Sequence, residues 1–381
     1  MGDINQINDV AAANINQVND VAKANISEVN DQGVAASGPS RLFIGLADAR
    51  VGQVPIADVD DVNDWNANVY YARNNDTWDL TDIAVGKDGS GNKMYAAVVN
   101  GNNPEIIHVS ESDFLAQNQW TEVNVTQKQR TILWGNDVWV TAGMLTSQSA
   151  NQHIYRSTNG STWSEVDISG LTGVSSNYAA GIYALTSTGS GTWYFALKGH
   201  IYKSTDNASS WSHEHTVSVG GGAIWDLAIT NNTLVCLYQS GGPKIISAAL
   251  SDTTDWSNAV DVRGTDNLAL GSTAKRMAAG NGRVVVIDTS RSVAFNVSGK
   301  TNPSPQTDRE QLPDEGNLNC ICTDGAGTFW TGSDGGSTGD DGGDICRSND
   351  NGASWTRTVH GIQDSNTRKI EGIGVDLYLP L

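Results

Sequence analysis

Positive charge is what this chain has least of. It carries 23 Lys and Arg against 42 Asp and Glu, a formal charge of −19 with histidine neutral. That balance excludes nucleic-acid phosphates and anionic membrane surfaces as partners. No stretch approaches the ~20 apolar residues a membrane span requires. The start, Met1-Gly2-Asp3, has neither the basic beginning nor the apolar core of an export signal. Only four cysteines are present, Cys236, Cys320, Cys322 and Cys346. Cys320 and Cys322 alternate on one strand face and cannot easily bridge each other, so all four are expected to be reduced and structural. The six histidines show no zinc-like spacing, and neither a metal nor a cofactor is expected. After residue 36 helical periodicity is almost missing.

What the chain has instead is repetition. Gly accounts for 41 of 381 residues, and short apolar runs are broken every 8 to 12 residues by Gly, Asn, Asp and Ser. One phrase recurs: Ile154-Tyr155-Arg156-Ser157-Thr158-Asn159-Gly160-Ser161-Thr162-Trp163, then Ile201-Tyr202-Lys203-Ser204-Thr205-Asp206 running on to Trp211, then Ile345-Cys346-Arg347-Ser348-Asn349-Asp350-Asn351-Gly352 running on to Trp355. A looser copy ends at Trp256. In such a turn the Ser and Asp side chains bond back to the turn's own amides, Gly tolerates positive φ, and the Trp folds over the loop. A unit of this size cannot bury its apolar face alone and must stack on copies of itself.

The tryptophans count the copies. Trp65, Trp120, Trp163, Trp211, Trp256 and Trp355 are separated by 55, 43, 48, 45 and 99 residues. The last gap holds two units, one of them, near 266–312, without its Trp. Seven units result. A second register agrees, since apolar strands begin at Asp82, Thr131, Asp226, Arg276, Asn319 and Glu371, with a blurred copy near Ile182-Tyr183. The last of these has too little chain after it to finish a unit. Its missing strands stand at Leu42–Leu46 and around Trp65, so pairing of the two ends would close a ring without open edges.

The Ser-x-Asp-x-Gly-x-x-Trp turns resemble the Asp-box, or BNR, repeats of sialidase-like β-propellers. Residues 348–355 carry the full pattern. The copy at 204–211 has Ala208 in place of Gly, and the copy at 157–163 is one residue short, with Asn159 for Asp. The resemblance implies an all-β, seven-bladed β-propeller over residues 41–381. It also implies that Ser157, Asn159, Trp163, Ser204, Asp206, Trp211, Ser348, Asp350, Gly352 and Trp355 are structural and lie on the outer rim. The cluster Asp58, Asp60, Asp61 and Asp64 before Trp65 reads as a degenerate turn of the same kind.

Residues 1–36 are a separate segment, joined by a linker at 37–40. They carry an 11-residue repeat that places Ile4, Ile7, Val10, Ile15, Val18, Val21, Ile26 and Val29 on one helical stripe. The same sequence is rich in Asn and Asn-Asp pairs, which favour turns, so short strand-turn units are the alternative. Either form needs partner helices or a docking surface. The repeats resemble those at the N-termini of structural and tail proteins of tailed bacteriophages, especially marine ones. This resemblance implies attachment to other virion proteins and a multi-copy or homo-oligomeric state in the particle.

The propeller resemblance invites an enzymatic reading, but the Arg-Ile-Pro motif of sialidases is absent. The nearest imitation, Tyr70-Tyr71 with Arg73, ends an outer strand. Two carboxylates suffice for general glycoside hydrolysis, and among 42 acidic residues such pairs arise by chance. The one arranged set is Asp82, Asp226, Arg276, Asn319 and Glu371 (with Thr131), expected to ring a mouth of the central channel. The plain reading is that they satisfy backbone amides; the functional one is a small polar or glycan pocket. The Gly-rich acidic loop 333–344 reads as a hairpin, with Ca²⁺ coordination as the alternative. The sequence thus points to a non-enzymatic virion protein, anchored by its N-terminus and displaying a propeller toward host-surface glycan. A glycan-active enzyme and a non-viral assembly scaffold are the alternatives.

Overall fold

Short apolar runs punctuated by turn residues fold into seven antiparallel sheets arranged as a seven-bladed β-propeller. The computed structural model describes residues 17–18, 21–22, 40–46, 49–72, 79–100, 104–116, 119–143, 154–174, 181–220, 222–262, 276–287, 291–305, 310–312, 317–334, 343–362 and 369–376. The innermost strands of blades 1 to 6 are Asp79–Lys87, Gln129–Gly135, Ile182–Ser187, Ile224–Thr230, Arg276–Gly280 and Leu318–Thr323. Three further strands follow each in sequence order, and the fourth and fifth blades gain a short extra strand at the outside.

Blade 7 closes the ring. Its innermost strand is Ile370–Asp376, which pairs with Arg41–Leu46, followed by Arg50–Pro55 and Val69–Tyr71. This is the closure anticipated from the unfinished final repeat, and it removes the edge that an open ring would expose.

The core lies between the blades. Seven buried apolar clusters occur among the described residues, and each is shared by two neighbours. Leu42, Ile44 and Trp65 of blade 7 meet Trp330 and Ile345 of blade 6. On its other side Phe43 meets Leu80 and Tyr95 of blade 1. Period-two alternation therefore points each strand's apolar residues toward both neighbours. The approach is close: a Cβ on Gly86 of blade 1 would fall 2.2 Å from Trp134 Cγ of blade 2.

Two local expectations are corrected. The acidic cluster before Trp65 is not a degenerate turn of the recurrent type. Ile56–Asp58 is a 3-10 turn and Val62–Ala67 an α-helix, N-capped by Asp61, whose Oδ1 accepts the Asn63 N–H at 2.8 Å. A carboxylate followed by helix-compatible residues caps a helix instead. Trp65 is nonetheless fully buried, and its indole N–H donates to the Val59 carbonyl at 3.0 Å. In the N-terminal segment, Gln17–Val18 pairs antiparallel with Val21–Ala22, with Val18 opposite Val21. At these four residues short strands are found, not the helix. Ile4, Ile7, Val10, Ile15, Ile26 and Val29 lie outside the described residues.

Candidate functional site

The first residues of the inner strands surround the propeller axis. In five blades a β-bulge falls there, between Leu80 and Asp82, Gln129 and Thr131, Ile182 and Ala184, Ile224 and Asp226, and Leu318 and Cys320. A bulge breaks the strict alternation of side chains and re-aims them. Here it turns polar and aromatic groups toward a common space.

Asp82 and Asp226 occupy matching positions and make matching bonds. Asp82 Oδ1 accepts its neighbour's amide, Ile83 N–H, at 2.9 Å. Its Oδ2 accepts Ile132 N–H of the next blade at 3.0 Å and the Thr131 hydroxyl at 2.9 Å. Asp226 Oδ1 accepts Leu227 N–H at 2.9 Å, and Oδ2 accepts Met277 N–H of the next blade at 2.8 Å. Each carboxylate ties two successive inner strands together at the axis. Both lie deep in the molecule yet keep part of their surface open, as residues lining a channel do.

Burial raises both acids above the ordinary carboxylate range, against the pull of the Arg276 guanidinium and the backbone bonds. Asp226 is pushed up to about 7. Arg276, from blade 5, acts on both acids. Its guanidinium makes no hydrogen bond or ion pair within 4.0 Å among the described residues. Glu371 of blade 7 acts on Arg130 of blade 2 and on the Cys320 thiol of blade 6. Asn319 precedes that cysteine at the bulge, and its Nδ2 is buried without a hydrogen-bond partner among the described residues. The structure thus gathers Asp82, Asp226, Arg276 and Glu371 into one electrostatically connected group, with Asn319 on the same wall.

Two members were missed in the sequence. Arg130, the residue before Thr131, sits over the Tyr183 ring at 4.6 Å. Burial and the Arg276 charge lower it to about 10, despite attraction from Tyr183, Asp226 and Glu371. Tyr183 is the bulge residue of blade 3, as Thr81 is of blade 1 and Arg130 of blade 2. Its signal was present in the strand register but blurred by the bulge.

The recurrent turns join third to fourth strands, so chain direction puts them on the opposite face from the inner-strand starts. Ser348 Oγ donates to Asp350 Oδ1 at 2.8 Å and accepts Gly352 N–H at 2.9 Å. Asp350 accepts Ser354 N–H and Oγ–H at 2.9 and 2.6 Å. Ser204 and Asp206 repeat the pattern with Ala208 and Ser210, at 2.7 to 2.9 Å for the three corresponding backbone and Ser204 bonds. In the shorter copy Ser157 Oγ accepts Gly160 N–H at 2.8 Å, and Asn159 Oδ1 accepts Thr162 N–H at 2.8 Å. The bond from Ser210 chiefly holds Asp206 down to about 2. Trp163 donates to the Gly160 carbonyl at 2.9 Å, while Trp211 and Trp355 fold in with Nε1 lacking a partner among the described residues. The side-chain oxygens of Ser157, Asn159, Ser204, Asp206, Ser348 and Asp350 are occupied in shaping the loop. Rim grooves beside Arg156 and Trp211, and beside Asp88 and His108, lie away from the axis.

All four cysteines are free, and burial pushes the Cys236, Cys320 and Cys322 thiols up. Among the described residues no three His, Cys, Asp or Glu side chains converge as metal ligands, and no helix is long and apolar enough to cross a membrane. Most of the loop 333–344 lies outside the described residues, and Asp344 at its end is buried with Arg357 Nη1 at 3.7 Å.

No protein-family model and no curated protein matches the chain. Solved structures do match in shape. YCF48 bound to D1 peptide aligns with a TM-score of 0.51 and 12% identity over 76% of this chain and 84% of that one. The Niastella koreensis GH74 enzyme aligns at 0.51 and 15% over 84% of this chain and 52% of that one. A proposed 6-phosphogluconolactonase from Bacteroides uniformis aligns at 0.57 and 9% over 89% of this chain and all of that one. At such identities the likeness is one of fold, the seven-bladed β-propeller.

Proposed function

We propose that this chain is a non-enzymatic binding and display protein, and that its setting is the virion of a tailed bacteriophage. Residues 1–36 attach it to other particle proteins, and the axial site of the propeller recognises host-surface glycan. The observation that carries the non-enzymatic reading is the double tie made by Asp82 and Asp226. Both oxygens of each carboxylate are committed to amides of two inner strands, which is structural service. Arg276 beside them, without a bonded partner among the described residues, suits an acidic or hydroxyl-rich sugar. The 11-residue repeats support the virion setting, and the Asp-box-like turns support a rigid scaffold whose loops carry binding.

The test is mass spectrometry of purified particles together with a glycan array probed with the full chain. The reading expects the protein in particles and glycan binding that falls on Arg276→Ala. Absence from particles would remove the virion setting and favour an assembly scaffold, a role in which YCF48 bound to D1 peptide offers a peptide-binding parallel. A glycan-active enzyme is a second reading, favoured by one observation: Asp226 at about 7 has the value a general acid needs near neutrality. Turnover on a panel of sialosides and bacterial polysaccharides, lost on Asp226→Asn or Glu371→Gln, would establish it.

A further inference from the structure

The outer hairpin of blade 3 brings together two histidines that lie 13 residues apart. The strand His200–Ser204 pairs with the edge strand Ser212–Thr216. The register shifts between Ile201 and Tyr202, so that His215 faces Ile201 while His213 faces Tyr202. Without that bulge His213 and His215 would share a face. With it, His215 stacks on Trp256 at 5.4 Å, toward blade 4, and His213 turns to the other side to join His200 and Thr216.

Three heteroatoms meet there. His200 Nδ1 lies 3.2 Å from His213 Nε2 and 3.2 Å from Thr216 Oγ1, and His213 Nε2 lies 3.0 Å from the same hydroxyl. A ring nitrogen either donates or accepts, never both, so three such edges cannot all be straight hydrogen bonds. The triangle does match one face of a coordination tetrahedron. Ligands at about 2.0–2.1 Å from zinc are separated by about 3.4 Å.

The imidazole is also held in place. A Cβ on Gly173 would fall 2.5 Å from His200 Nε2, so the glycine backbone backs the ring. The same loop is pinned where Tyr202 Oη donates to the Thr172 carbonyl at 2.8 Å. Tyr202 in turn packs edge-on against His213 at 5.8 Å. Oriented, pre-packed imidazoles are what a metal site requires of its surroundings.

We propose that His200 Nδ1, His213 Nε2 and Thr216 Oγ1 form a binding site for a borderline divalent transition-metal ion such as Zn²⁺, with water in the remaining position. Two imidazole ligands select this class over the hard ions Ca²⁺ and Mg²⁺. His200 then carries its proton on Nε2 and His213 on Nδ1. The bound ion clips the edge strand of blade 3 to its neighbour, on the same face as the axial ring.

The experiment is calorimetric titration of the full chain with ZnCl₂, with CaCl₂ and MgCl₂ alongside, and imidazole ¹⁵N NMR during the zinc titration. One zinc per chain at micromolar concentration is expected, with the Ca²⁺ and Mg²⁺ titrations flat. Zinc moves the His200 and His213 nitrogen resonances and leaves those of His108 and His215 in place. His200→Ala and His213→Ala each weaken binding by about tenfold or more, whereas His215→Ala leaves it unchanged. Zinc uptake without shifts at His200 and His213, uptake retained by the His200→Ala/His213→Ala double variant, or no uptake by the wild-type chain overturns the assignment. The NMR readout on the wild-type chain decides the matter even if a variant folds poorly. Since the ligands are remote from the axis, loss of glycan binding would leave this site intact, and the reverse holds too.

Discussion

The carboxylate of Asp226, on the inner strand of blade 4, accepts the backbone N–H of Met277, on the inner strand of blade 5, at 2.8 Å. Asp82 and Ile132 stand in the same relation between blades 1 and 2 at 3.0 Å. Replacing Asp226 with Ala strands two amides, those of Leu227 and Met277. The expected loss is about 1–3 kcal/mol, read from urea denaturation. An unchanged midpoint would mean that the tie contributes nothing.

The same residue predicts a pH dependence of unusual sign. Its folded pKa, about 7, lies above the ordinary 3.8. Between about pH 4 and 7 the native chain therefore holds a proton that the unfolded chain has released, and this carboxyl's contribution to stability falls as pH rises through that window, with a slope of at most ~1.4 kcal/mol per pH unit. Asp206 behaves oppositely. Its folded value of about 2 makes its contribution complete above about pH 4 and lost as pH falls toward 2. Carboxyl ¹³C NMR should find the two midpoints on opposite sides of the usual range. In Asp226→Asn the decline between pH 4 and 7 should flatten.

Ala208 and Gly352 are the same position in two copies of the turn, with φ of +62° and +84°. For Ala208 the left-handed backbone costs about 1–2 kcal/mol, partly offset by its buried methyl. Ala208→Gly should therefore raise stability by about 0.5 kcal/mol. Gly352→Ala places a Cβ 2.5 Å from Val285 Cγ2 and should cost about 2–4 kcal/mol. Thermal melts of the two variants should move in opposite directions.

Two glycines at blade junctions are separable by what faces them. A Cβ on Gly86 meets the stiff root of the Trp134 ring, while one on Gly45 meets the Leu80 methyl Cδ2, each at 2.2 Å. Leucine can change rotamer and the packed indole cannot. Gly86→Ala should cost about 1–3 kcal/mol and Gly45→Ala less, as measured by denaturant midpoint.

Blade number and closure were readable in the chain because a Trp recurs at nearly constant spacing and because the final apolar run lacks a following blade. The spacing did not reveal local form: Trp65 lies within a helix that a capping Asp61 starts, while Trp211 follows a turn. The acids of the axial ring were legible as strand beginnings. Their partners were not, because those amides belong to the next blade and depend on how two sheets are staggered. Arg130 and Tyr183 escaped because bulges shift the register by one residue where it mattered. The pairing of His200 with His213 escaped for the same reason.

Blade 7 joins Ile370–Asp376 to Arg41–Leu46, segments more than three hundred residues apart. During synthesis the early strand must wait, its outward amides unanswered, until Ile370–Asp376 has emerged. Folding of this chain is therefore expected to be slow and to finish in a single late step, with the half-made ring as the species a chaperone would meet.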